Sequence, residues 1–401
     1  MYSRLALPAL ALLTVLGACD VGTTESTSAR ITAFTASFPA GDGCAARADG
    51  SVLCRGANYY GRLGIGTAVE YESDPTNAIP VDSRADFHAV AVGYDHACAL
   101  DADGAAWCWG SNRSGQLGVG DTTGPERCNA TLSYYPTVIV GTIACATTPI
   151  KVATSKRFKS IDADDDETCA LTSGGELWCW GYGEDGFGLG ASSAPAGCTG
   201  YLCPSPIRAA PGLTFRIFDL NYYGACGTDA AFQLYCWGQD YGSGRFGRVL
   251  GVPVIWNAPT PINSSAAVQD FALSDTYTCV VTTAGALMCF GLNESGQLGD
   301  GTTVPRETPM QSVPPVPLSH IAVRPGYSSR SSCALDRQGK AWCWGANGSG
   351  QLGTGNTLPA RSPQPVLGDL SFKDISLGGP ICGTRSDGIW CWGQLPSRFE
   401  Q

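Results

Sequence analysis

Short apolar runs, separated by glycine, aspartate, asparagine and proline, follow one another along most of the chain. In one unit, an apolar run ends in an Asp-Ala-Asp-Gly turn at 101–104, and a second run extends to Trp109. A proline-containing, β-branched stretch such as Pro149–Val152 comes next, and a further apolar run such as Phe158–Ile161 follows it. Runs of this length bounded by turn residues are typical of β-strands, so each unit offers four short strands.

The unit recurs along nearly the whole sequence, and a pair of cysteines marks every copy. The second cysteine follows the first after ten residues, or after nine in the last copy. The first cysteines of the seven copies are Cys44, Cys98, Cys169, Cys226, Cys279, Cys333 and Cys382. Four strands in roughly 50 residues are typical of one propeller blade. We therefore predict an all-β fold, a seven-bladed β-propeller with disulfide-stapled hairpins.

The best preserved copies share three motifs. They read Cys-Ala-Leu at 98–100 and 333–335, Cys-Trp-Gly at 108–110 and 343–345, and Gly-Gln-Leu-Gly at 115–118 and 350–353. This unit resembles the regulator of chromosome condensation repeat family, in the cysteine-rich variety found in bacterial surface lipoproteins. The resemblance covers about residues 31–393 and independently implies a seven-bladed propeller. It implies no single activity, because such repeats serve as a nucleotide exchange factor for a small GTPase and as a protein inhibitor of β-lactamases.

The N-terminus has the pattern of an export signal. Arg4 precedes an apolar run, Leu5–Leu16, that is too short to span a bilayer comfortably. The sequence Leu-Gly-Ala-Cys that ends at Cys19 resembles the bacterial lipoprotein box, which implies a signal peptide over 1–18 and lipidation of Cys19. Residues 19–30 are then the lipidated cysteine and a polar tether. The alternative is an ordinary secretory signal in which Cys19 is cleaved off or paired.

The propeller domain is predicted over 31–401, with insertions near 121–150 and 191–206 that break the regular period. The last copy stops at Gly393, and the first copy lacks a Pro-Val strand in front of Ile31. We therefore expect the ring to close where the two ends of the domain meet. Either residues 29–35 add a strand to the last blade, or one blade is short by a strand.

All 19 cysteines can be assigned. A hairpin at the 101–104 turn places Cys98 opposite Cys108, where a cross-strand disulfide is possible. The same reasoning pairs Cys44–Cys54, Cys169–Cys179, Cys226–Cys236, Cys279–Cys289, Cys333–Cys343 and Cys382–Cys391. The insertions contain the remaining pairs, Cys128–Cys145 and Cys198–Cys203. This pattern belongs in an oxidising compartment, and zinc binding is disfavoured because no Cys-x-x-Cys motif occurs.

The charge balance limits the partners. Lys+Arg 25 against Asp+Glu 35 gives a net charge of −10, which repels phosphate backbones and anionic lipid headgroups. We expect no nucleic-acid partner, and contact with the membrane through the lipid anchor only. No phosphate-binding loop, Ser/His/Asp motif or phased carboxylate pair stands out, so we predict no catalytic residue, no metal and no cofactor. A hydrolytic propeller whose acids meet only in space is the least favoured alternative.

Three groups of polar residues are candidates for sites. The acidic segment Asp162–Glu167 resembles the start of a calcium loop, but its place in the repeat favours a solvated turn between strands. His96 lies in the same repeat slot and is interpreted as a hydrogen-bonding residue of that turn. The sequons at Asn112, Asn293 and Asn347 share one repeat position, which favours turn chemistry over glycosylation. The repeated tryptophans at 109, 180, 237, 344 and 392 are interpreted as packing between blades.

The first hypothesis for function is a protein- or carbohydrate-binding module of the bacterial cell envelope, lipid-anchored, extracytoplasmic and monomeric. Its recognition surface would be the variable turns and the two insertions, 121–150 and 191–206. The second hypothesis is a regulator of other enzymes, either an inhibitor of a secreted hydrolase or a nucleotide exchange factor. Export disfavours the exchange factor, because GTPases and GTP are cytosolic.

Overall fold

A computed structural model describes residues 31–36, 43–69, 78–134, 137–183, 195–221, 223–247, 250–312, 316–323, 330–377, 381–385 and 388–393. These residues form seven antiparallel sheets, one for each repeat, which we call blades 1 to 7. The only helical element among them is a 3₁₀ turn at Tyr59–Gly61. The predicted all-β, seven-bladed propeller is therefore confirmed.

The strands follow chain order within each blade except in blade 2. Blade 1 contains β1 (Ile31–Ala36), β2 (Gly43–Arg47), β3 (Val52–Arg55) and β4 (Ile79–Pro80). Blade 2 contains β5 (Phe87–Val92), β6 (His96–Asp101), β7 (Ala106–Ser111), β9 (Thr137–Lys151) and, at its edge, β8 (Glu126–Tyr134). Blade 3 contains β10 (Phe158–Asp164), β11 (Glu167–Thr172), β12 (Leu177–Tyr182) and β13 (Leu202–Arg208).

The remaining blades repeat the same meander. Blade 4 contains β14 (Ile217–Asn221), β15 (Gly224–Thr228), β16 (Leu234–Tyr241) and β17 (Pro253–Pro261). Blade 5 contains β18 (Val268–Leu273), β19 (Tyr277–Thr282), β20 (Leu287–Gly291) and β21 (Arg306–Gln311). Blade 6 contains β22 (Leu318–Val323), β23 (Ser331–Asp336), β24 (Ala341–Gly345) and β25 (Ala360–Pro365). The described part of blade 7 contains β26 (Asp374–Leu377), β27 (Ile381–Arg385) and β28 (Gly388–Trp392).

The first strands of the blades form the inner ring. Each lies against the first strand of the next blade, in the order β1, β5, β10, β14, β18, β22 and β26, and β26 lies against β1. The ring therefore closes where the first and last blades meet. Of the two alternatives for closure, addition of a strand to the last blade is not what the described residues 31–36 do, because β1 pairs with β2 in blade 1. Within the described residues, blade 7 has three strands.

The hairpin disulfides join the second and third strands of a blade. Cys98 of β6 and Cys108 of β7 are direct partners in the ladder, and their Cα atoms are 4.0 Å apart. The other blades repeat this arrangement with Cys44–Cys54, Cys169–Cys179, Cys226–Cys236, Cys279–Cys289, Cys333–Cys343 and Cys382–Cys391. The insertions contain Cys128–Cys145 and Cys198–Cys203. Cys19 lies outside the described residues.

The core lies between blades, and the repeated motifs build it. Trp180 of blade 3 is fully buried, and its indole Nε1 donates a hydrogen bond of 3.0 Å to the carbonyl oxygen of Gln116 in blade 2. Leu117 packs in the same cluster. Gly118, at φ +67°, ends the Gly-Gln-Leu-Gly motif under this indole, where an added Cβ would lie 2.9 Å from Trp180 Cδ1. The Gly-Gln-Leu-Gly motif of one blade thus packs against the tryptophan of the following blade. This contact agrees with the interpretation of the repeated tryptophans as packing residues between blades.

The same contact recurs around the ring. The indoles of Trp109 and Trp344 donate hydrogen bonds of 2.8 Å to the carbonyl oxygens of Arg62 and Gln297 in the preceding blades. At these three blade boundaries, a buried tryptophan with a satisfied N–H donor therefore connects one blade to the preceding one. Among the described residues, no helix is long and apolar enough to cross a membrane.

Candidate functional site

The topology gives the ring two unlike faces. The turns between first and second strands and the connections between third and fourth strands lie at one end of every blade, because the strands are antiparallel and in order. We call this end the upper face. The turns between second and third strands lie at the opposite end, which we call the lower face.

Both predicted insertions start at the upper face, one in blade 2 and the other in the neighbouring blade 3. The first forms the β8–β9 ribbon, whose disulfide Cys128–Cys145 packs against Tyr60 of the 3₁₀ turn in blade 1. The second carries the Cys198–Cys203 disulfide just before β13, and its residues 191–194 lie outside the described part of the chain. The two insertions are adjacent, because the carbonyl oxygen of Pro204 in blade 3 accepts a hydrogen bond of 2.8 Å from the Gly120 amide in blade 2.

Exposed tyrosines occupy the upper face beside these insertions. Tyr94 in the first turn of blade 2, Tyr182 at the end of β12 and Tyr241 at the end of β16 are 48%, 41% and 48% exposed. Tyr223, in the first turn of blade 4, packs edge to face against Tyr241, with ring centroids 5.0 Å apart. We call Tyr94, Tyr182 and Tyr241 the tyrosine arc, since they follow one another over blades 2, 3 and 4.

The acidic segment Asp162–Glu167 is not the solvated turn that was expected. Asp162 and Asp164 belong to β10, Glu167 begins β11, and only residues 165–166 form the turn. Asp166 and Glu167 are buried. The prediction of a solvated turn failed because this part of the repeat lies between two blades in the folded ring. The period of the repeat alone does not reveal which residues face a neighbouring blade.

Asp166 connects blade 3 to blade 2. Its carboxylate accepts hydrogen bonds from Gln116 Nε2 at 2.9 Å, from Ser114 Oγ at 2.8 Å and from Arg113 Nη2 at 3.3 Å. These three donors belong to the loop that contains Gly-Gln-Leu-Gly. Asp166 therefore holds the loop whose Gln116 carbonyl oxygen accepts the hydrogen bond from the Trp180 indole.

Metal binding has little support among the described residues. The two groups of three neighbouring ligand atoms are Glu126 with Cys128 and Cys145, and Glu167 with Cys169 and Cys179. In both groups the cysteines form a disulfide and offer no thiolate. The other carboxylates of the acidic segment do not converge on one point, because Asp166 contacts blade 2 whereas Asp162 accepts from the Leu220 amide of blade 4.

His96 is the first residue of β6, directly after the turn in which it was expected. It is fully buried, and its Nε2 is 2.6 Å from Thr168 Oγ1 of blade 3. Burial lowers its pKa to about 4, so the imidazole is neutral at pH 7. His96 is thus a hydrogen-bonding residue between blades 2 and 3, with no access to a substrate.

The sequon asparagines hold a turn. Asn112, Asn293 and Asn347 are buried, and each Oδ1 accepts a hydrogen bond from the amide of the motif leucine five residues later, at 3.1, 3.0 and 2.9 Å. Buried amides in this role are not available for glycosylation. The interpretation as turn chemistry agrees with these contacts.

Carboxyl groups concentrate on the inner ring. Asp162 of β10 and Asp219 of β14 accept hydrogen bonds from the amides of Leu220 and Leu273 in the next blades, at 3.1 and 2.8 Å. Burial raises the pKa of Asp162 to about 6. Burial, together with the charge of Asp162, raises the pKa of Asp219 well above its usual value. The inner ring therefore carries buried carboxyl groups in blades 3 and 4, and both have raised pKa values.

On the opposite side of the ring, a histidine joins three blades. His320 Nδ1 of β22 is 2.6 Å from Asp270 Oδ2 of β18, and its Nε2 is 3.1 Å from Asp374 Oδ1 of β26. Burial lowers the pKa of His320, but these two carboxylates outweigh it and raise the pKa to about 10. The imidazolium therefore persists at pH 7 and is not a general base. No sequence motif marks this cluster, because Asp270, His320 and Asp374 precede the first cysteines of their blades by nine, thirteen and eight positions and come together only across blades.

Comparison with known proteins agrees with this architecture. Models of the regulator of chromosome condensation (RCC1) repeat match residues 49–100, 103–171 and 338–383, and a second model of the repeat matches 87–116 and 158–186. The chain is 28% identical over 355 residues to the ultraviolet-B receptor UVR8 of Arabidopsis thaliana, covering 86% of this chain and 73% of the receptor.

Solved structures show the same fold. Human WBSCR16 superposes with a TM-score of 0.70 at 19% identity, over 88% of this chain and 85% of that chain. Prp20p of Saccharomyces cerevisiae, described with its binding to Gsp1p and histones, gives a TM-score of 0.67 at 17% identity, over 91% and 82%. Residues 49–186 and 338–383 therefore match regulator of chromosome condensation repeats, and the described residues of the chain fold into a seven-bladed β-propeller.

Proposed function

We propose that the protein is a binding module, not an enzyme, and that the upper face of blades 2, 3 and 4 recognises a protein partner. The tyrosine arc supports this assignment most directly. Tyrosine is enriched in protein interfaces because its rigid ring covers a large apolar area and its hydroxyl can hydrogen-bond. Three such side chains, each more than 40% exposed, follow one another on a single face beside both insertions.

The chemistry of the site supports binding rather than turnover. Among the described residues, His96 is buried and neutral, and His320 is held as a cation between two carboxylates. These two imidazoles therefore do not provide the base that a nucleophile would need. Prp20p is a propeller described as binding proteins, so the fold is compatible with this role.

We further propose that the module works outside the cytoplasm, in the cell envelope, and is held there by a lipid on Cys19. The nine disulfides support an oxidising compartment, because cytosolic thiols are kept reduced. Intact-mass measurement of the membrane-extracted protein tests this. A mass that starts at Cys19 with a diacylglycerol adduct, unchanged by alkylation until the protein is reduced, is the expected result. Free thiols and an unprocessed N-terminus would place the protein in the cytosol.

The binding proposal is tested by substitution in the tyrosine arc. A partner captured from the envelope fraction is purified, and its dissociation constant is measured for the wild type and for Tyr182→Ala combined with Tyr241→Ala. Loss of one aromatic anchor weakens an interface by about 2 kcal/mol, so we expect affinity to fall at least tenfold. The matched control is Met310→Ala combined with Leu367→Ala, two exposed side chains of blades 5 and 6.

Either of two results would contradict the proposal. The partner would bind the tyrosine variant as tightly as the control, or the envelope fraction would contain no protein whose capture depends on these tyrosines. A soluble envelope glycan that binds in place of a protein would favour the carbohydrate alternative. A captured hydrolase that loses activity in the complex would identify the module as its inhibitor.

A further inference from the structure

Every lysine of the chain lies at the lower face, and none lies at the upper face. The sequence contains five lysines, and all of them belong to the described residues. The connection from one blade to the next lies at the lower face, because the fourth strand runs back toward the end at which the first strand begins. Lys151 ends β9, Lys156 lies in the connection that follows, and Lys159 is the second residue of β10. Lys340 lies in the turn between β23 and β24, and Lys373 directly precedes β26.

The lysines at the start of blade 3 belong to a larger group of cations. Arg157 lies between them in the sequence. Arg208 ends β13 and Arg216 directly precedes β14, so both lie at the lower ends of blades 3 and 4. The Nζ atom of Lys159 donates a hydrogen bond of 3.0 Å to the Arg216 carbonyl oxygen, which brings the two blades together. We call this group the lower basic patch, and its members are Lys156, Arg157, Lys159, Arg208 and Arg216.

Most of the lower basic patch is open to solvent. Arg157, Lys159 and Arg208 are exposed, and the side chain of Lys156 is 38% exposed. Among the described residues, Arg157 and Lys159 donate to backbone carbonyl oxygens, and Arg216 does the same while its guanidinium lies over a phenylalanine ring. These neutral partners leave the positive charges of the three side chains in place.

The acids at the lower end of blades 3 and 4 are Glu176 and Asp229. Glu176 is shared between two cations, at 3.3 Å from Lys156 Nζ and 3.5 Å from Arg208 Nη1. Asp229 accepts hydrogen bonds from two backbone amides of its own turn. The neighbouring turn of blade 2 adds the exposed Asp103. The five cations outnumber these acids, so the lower basic patch is a positive region on a chain whose net charge is −10.

The chain enters the propeller at this same face. β1 begins at Ile31, which pairs with Arg47 beside the 47–51 turn of the lower face. About 12 residues separate Ile31 from Cys19. A chain of that length spans roughly 20 Å on average when it is unstructured and roughly 40 Å at most. A lipid on Cys19 would therefore hold the lower face close to the bilayer.

We propose that the lower basic patch rests on the anionic headgroups of the membrane that holds the anchor, so that the tyrosine arc faces away from the bilayer. The inference rests on the proposed anchoring at Cys19 and gives the anchored molecule an orientation. Each lysine or arginine beside an anionic surface strengthens the contact about fivefold. The acids of the upper face oppose this contact only weakly, because salt screens charges that are further away than about 8–10 Å. Contact with the membrane would thus extend beyond the lipid anchor, although the net charge alone predicts repulsion.

The test uses the full chain from Cys19 onward, with its lipid and its disulfides, reconstituted in two kinds of vesicle. One kind contains phosphatidylcholine alone, and the other contains equal parts of phosphatidylcholine and phosphatidylglycerol. Lysines are acetylated in a short pulse, tyrosines are iodinated in a parallel sample, and mass spectrometry gives the rate for each residue. We expect Lys156 and Lys159 to react at least about threefold more slowly on the anionic vesicles, since five cations would keep the patch at the surface most of the time. The tyrosine arc should react equally on both.

A double variant tests whether the patch itself makes the contact. Arg157→Gln combined with Lys159→Gln removes two of its cations and should weaken the contact about 25-fold, so Lys156 should react on anionic vesicles nearly as fast as on neutral ones. The matched control is Arg127→Gln combined with Arg361→Gln, which removes two exposed cations at the upper face and should leave the Lys156 rate at its wild-type value. Added salt at about 0.5 M should abolish the protection in the wild type.

Several outcomes would overturn the inference. Equal lysine rates on the two kinds of vesicle would do so while leaving the lipid on Cys19, and hence the proposed anchoring, intact. Slower iodination of the tyrosine arc on anionic vesicles would show that the upper face lies on the membrane instead. Equal effects of the two double variants would show that total charge acts rather than the patch.

Two further results would also decide against it. Protection of the lysines by soluble dextran sulfate, but not by anionic vesicles, would assign the patch to an anionic polymer. A chain whose intact mass shows no lipid would overturn the anchoring and the orientation together. Urea denaturation of each variant shows that a changed rate is not a result of misfolding.

Discussion

Replacement of His320 by glutamine should make the stability of the ring less dependent on pH. His320 joins β22 to β18 and β26 through Asp270 and Asp374. The Gln side chain can still hydrogen-bond to one carboxylate, but it carries no charge. The substitution therefore removes the electrostatic part of a contact that spans blades 5, 6 and 7.

The expected loss of unfolding free energy follows from the pKa of His320, which two carboxylates raise from 6.5 to about 10. A shift of that size corresponds to about 5 kcal/mol if no solvent screens the charges. The His320 side chain is 35% exposed and that of Asp374 is 51% exposed, so water screens the pair, and we expect about 2 kcal/mol. The folded state holds the proton more tightly than the unfolded chain does. The stabilisation is therefore complete below pH 6.5 and is lost as the pH rises toward 10.

Urea denaturation across this pH range measures the effect. The difference in unfolding free energy between wild type and His320→Gln should be largest near pH 6 and should shrink steadily toward pH 10. A companion variant is Asp270→Asn, which removes one of the two carboxylates that contact His320 and should weaken the same dependence on pH. A difference that stays constant with pH, or that grows as pH rises, would refute the assignment of a persistent imidazolium.

Three further substitutions test the contacts between and within blades. Asp166→Ala leaves three side-chain donors of blade 2 without their acceptor, so it should lower the unfolding free energy measured in urea by about 2–3 kcal/mol. Asp166→Asn should lower it by less. Equal losses in the two variants would contradict the role of Asp166 as a hydrogen-bond acceptor. Gly118→Ala places a Cβ 2.9 Å from Trp180 at a backbone φ of +67°, so it should lower the unfolding free energy by more than about 1 kcal/mol. An unchanged melting temperature would show that Gly118 does not pack closely against the Trp180 indole. Replacing Cys98 and Cys108 together by serine opens a ten-residue loop and should lower the unfolding free energy by about 2–3 kcal/mol. A fully reduced wild type that melts at the same temperature as the oxidised protein would contradict this expectation.

The sequence predicts what depends on contacts within one repeat. The fixed spacing of Cys98 and Cys108 around a turn places them opposite each other, and the same spacing identifies every blade. Contacts between blades are different, because they depend on how one sheet packs on the next. Asp166 was expected in solvent for this reason. Asp270, His320 and Asp374 occupy equivalent positions in their first strands, but their side chains meet only across blades, so no contact within one repeat predicts the cluster.

The locality of the disulfides bears on how an exported chain of this kind would fold. All nine bonds join cysteines separated by 5 to 17 residues, so each closes within a single hairpin or insertion. If the chain is exported as proposed, each hairpin can be oxidised as soon as it has crossed the membrane, before the following blade has been translocated. Correct partners are closer along the chain than wrong ones, which reduces the need for an isomerase to reshuffle them. The contact between β26 and β1, which closes the ring, involves no disulfide among the described residues, so noncovalent contacts alone hold the first and last blades together.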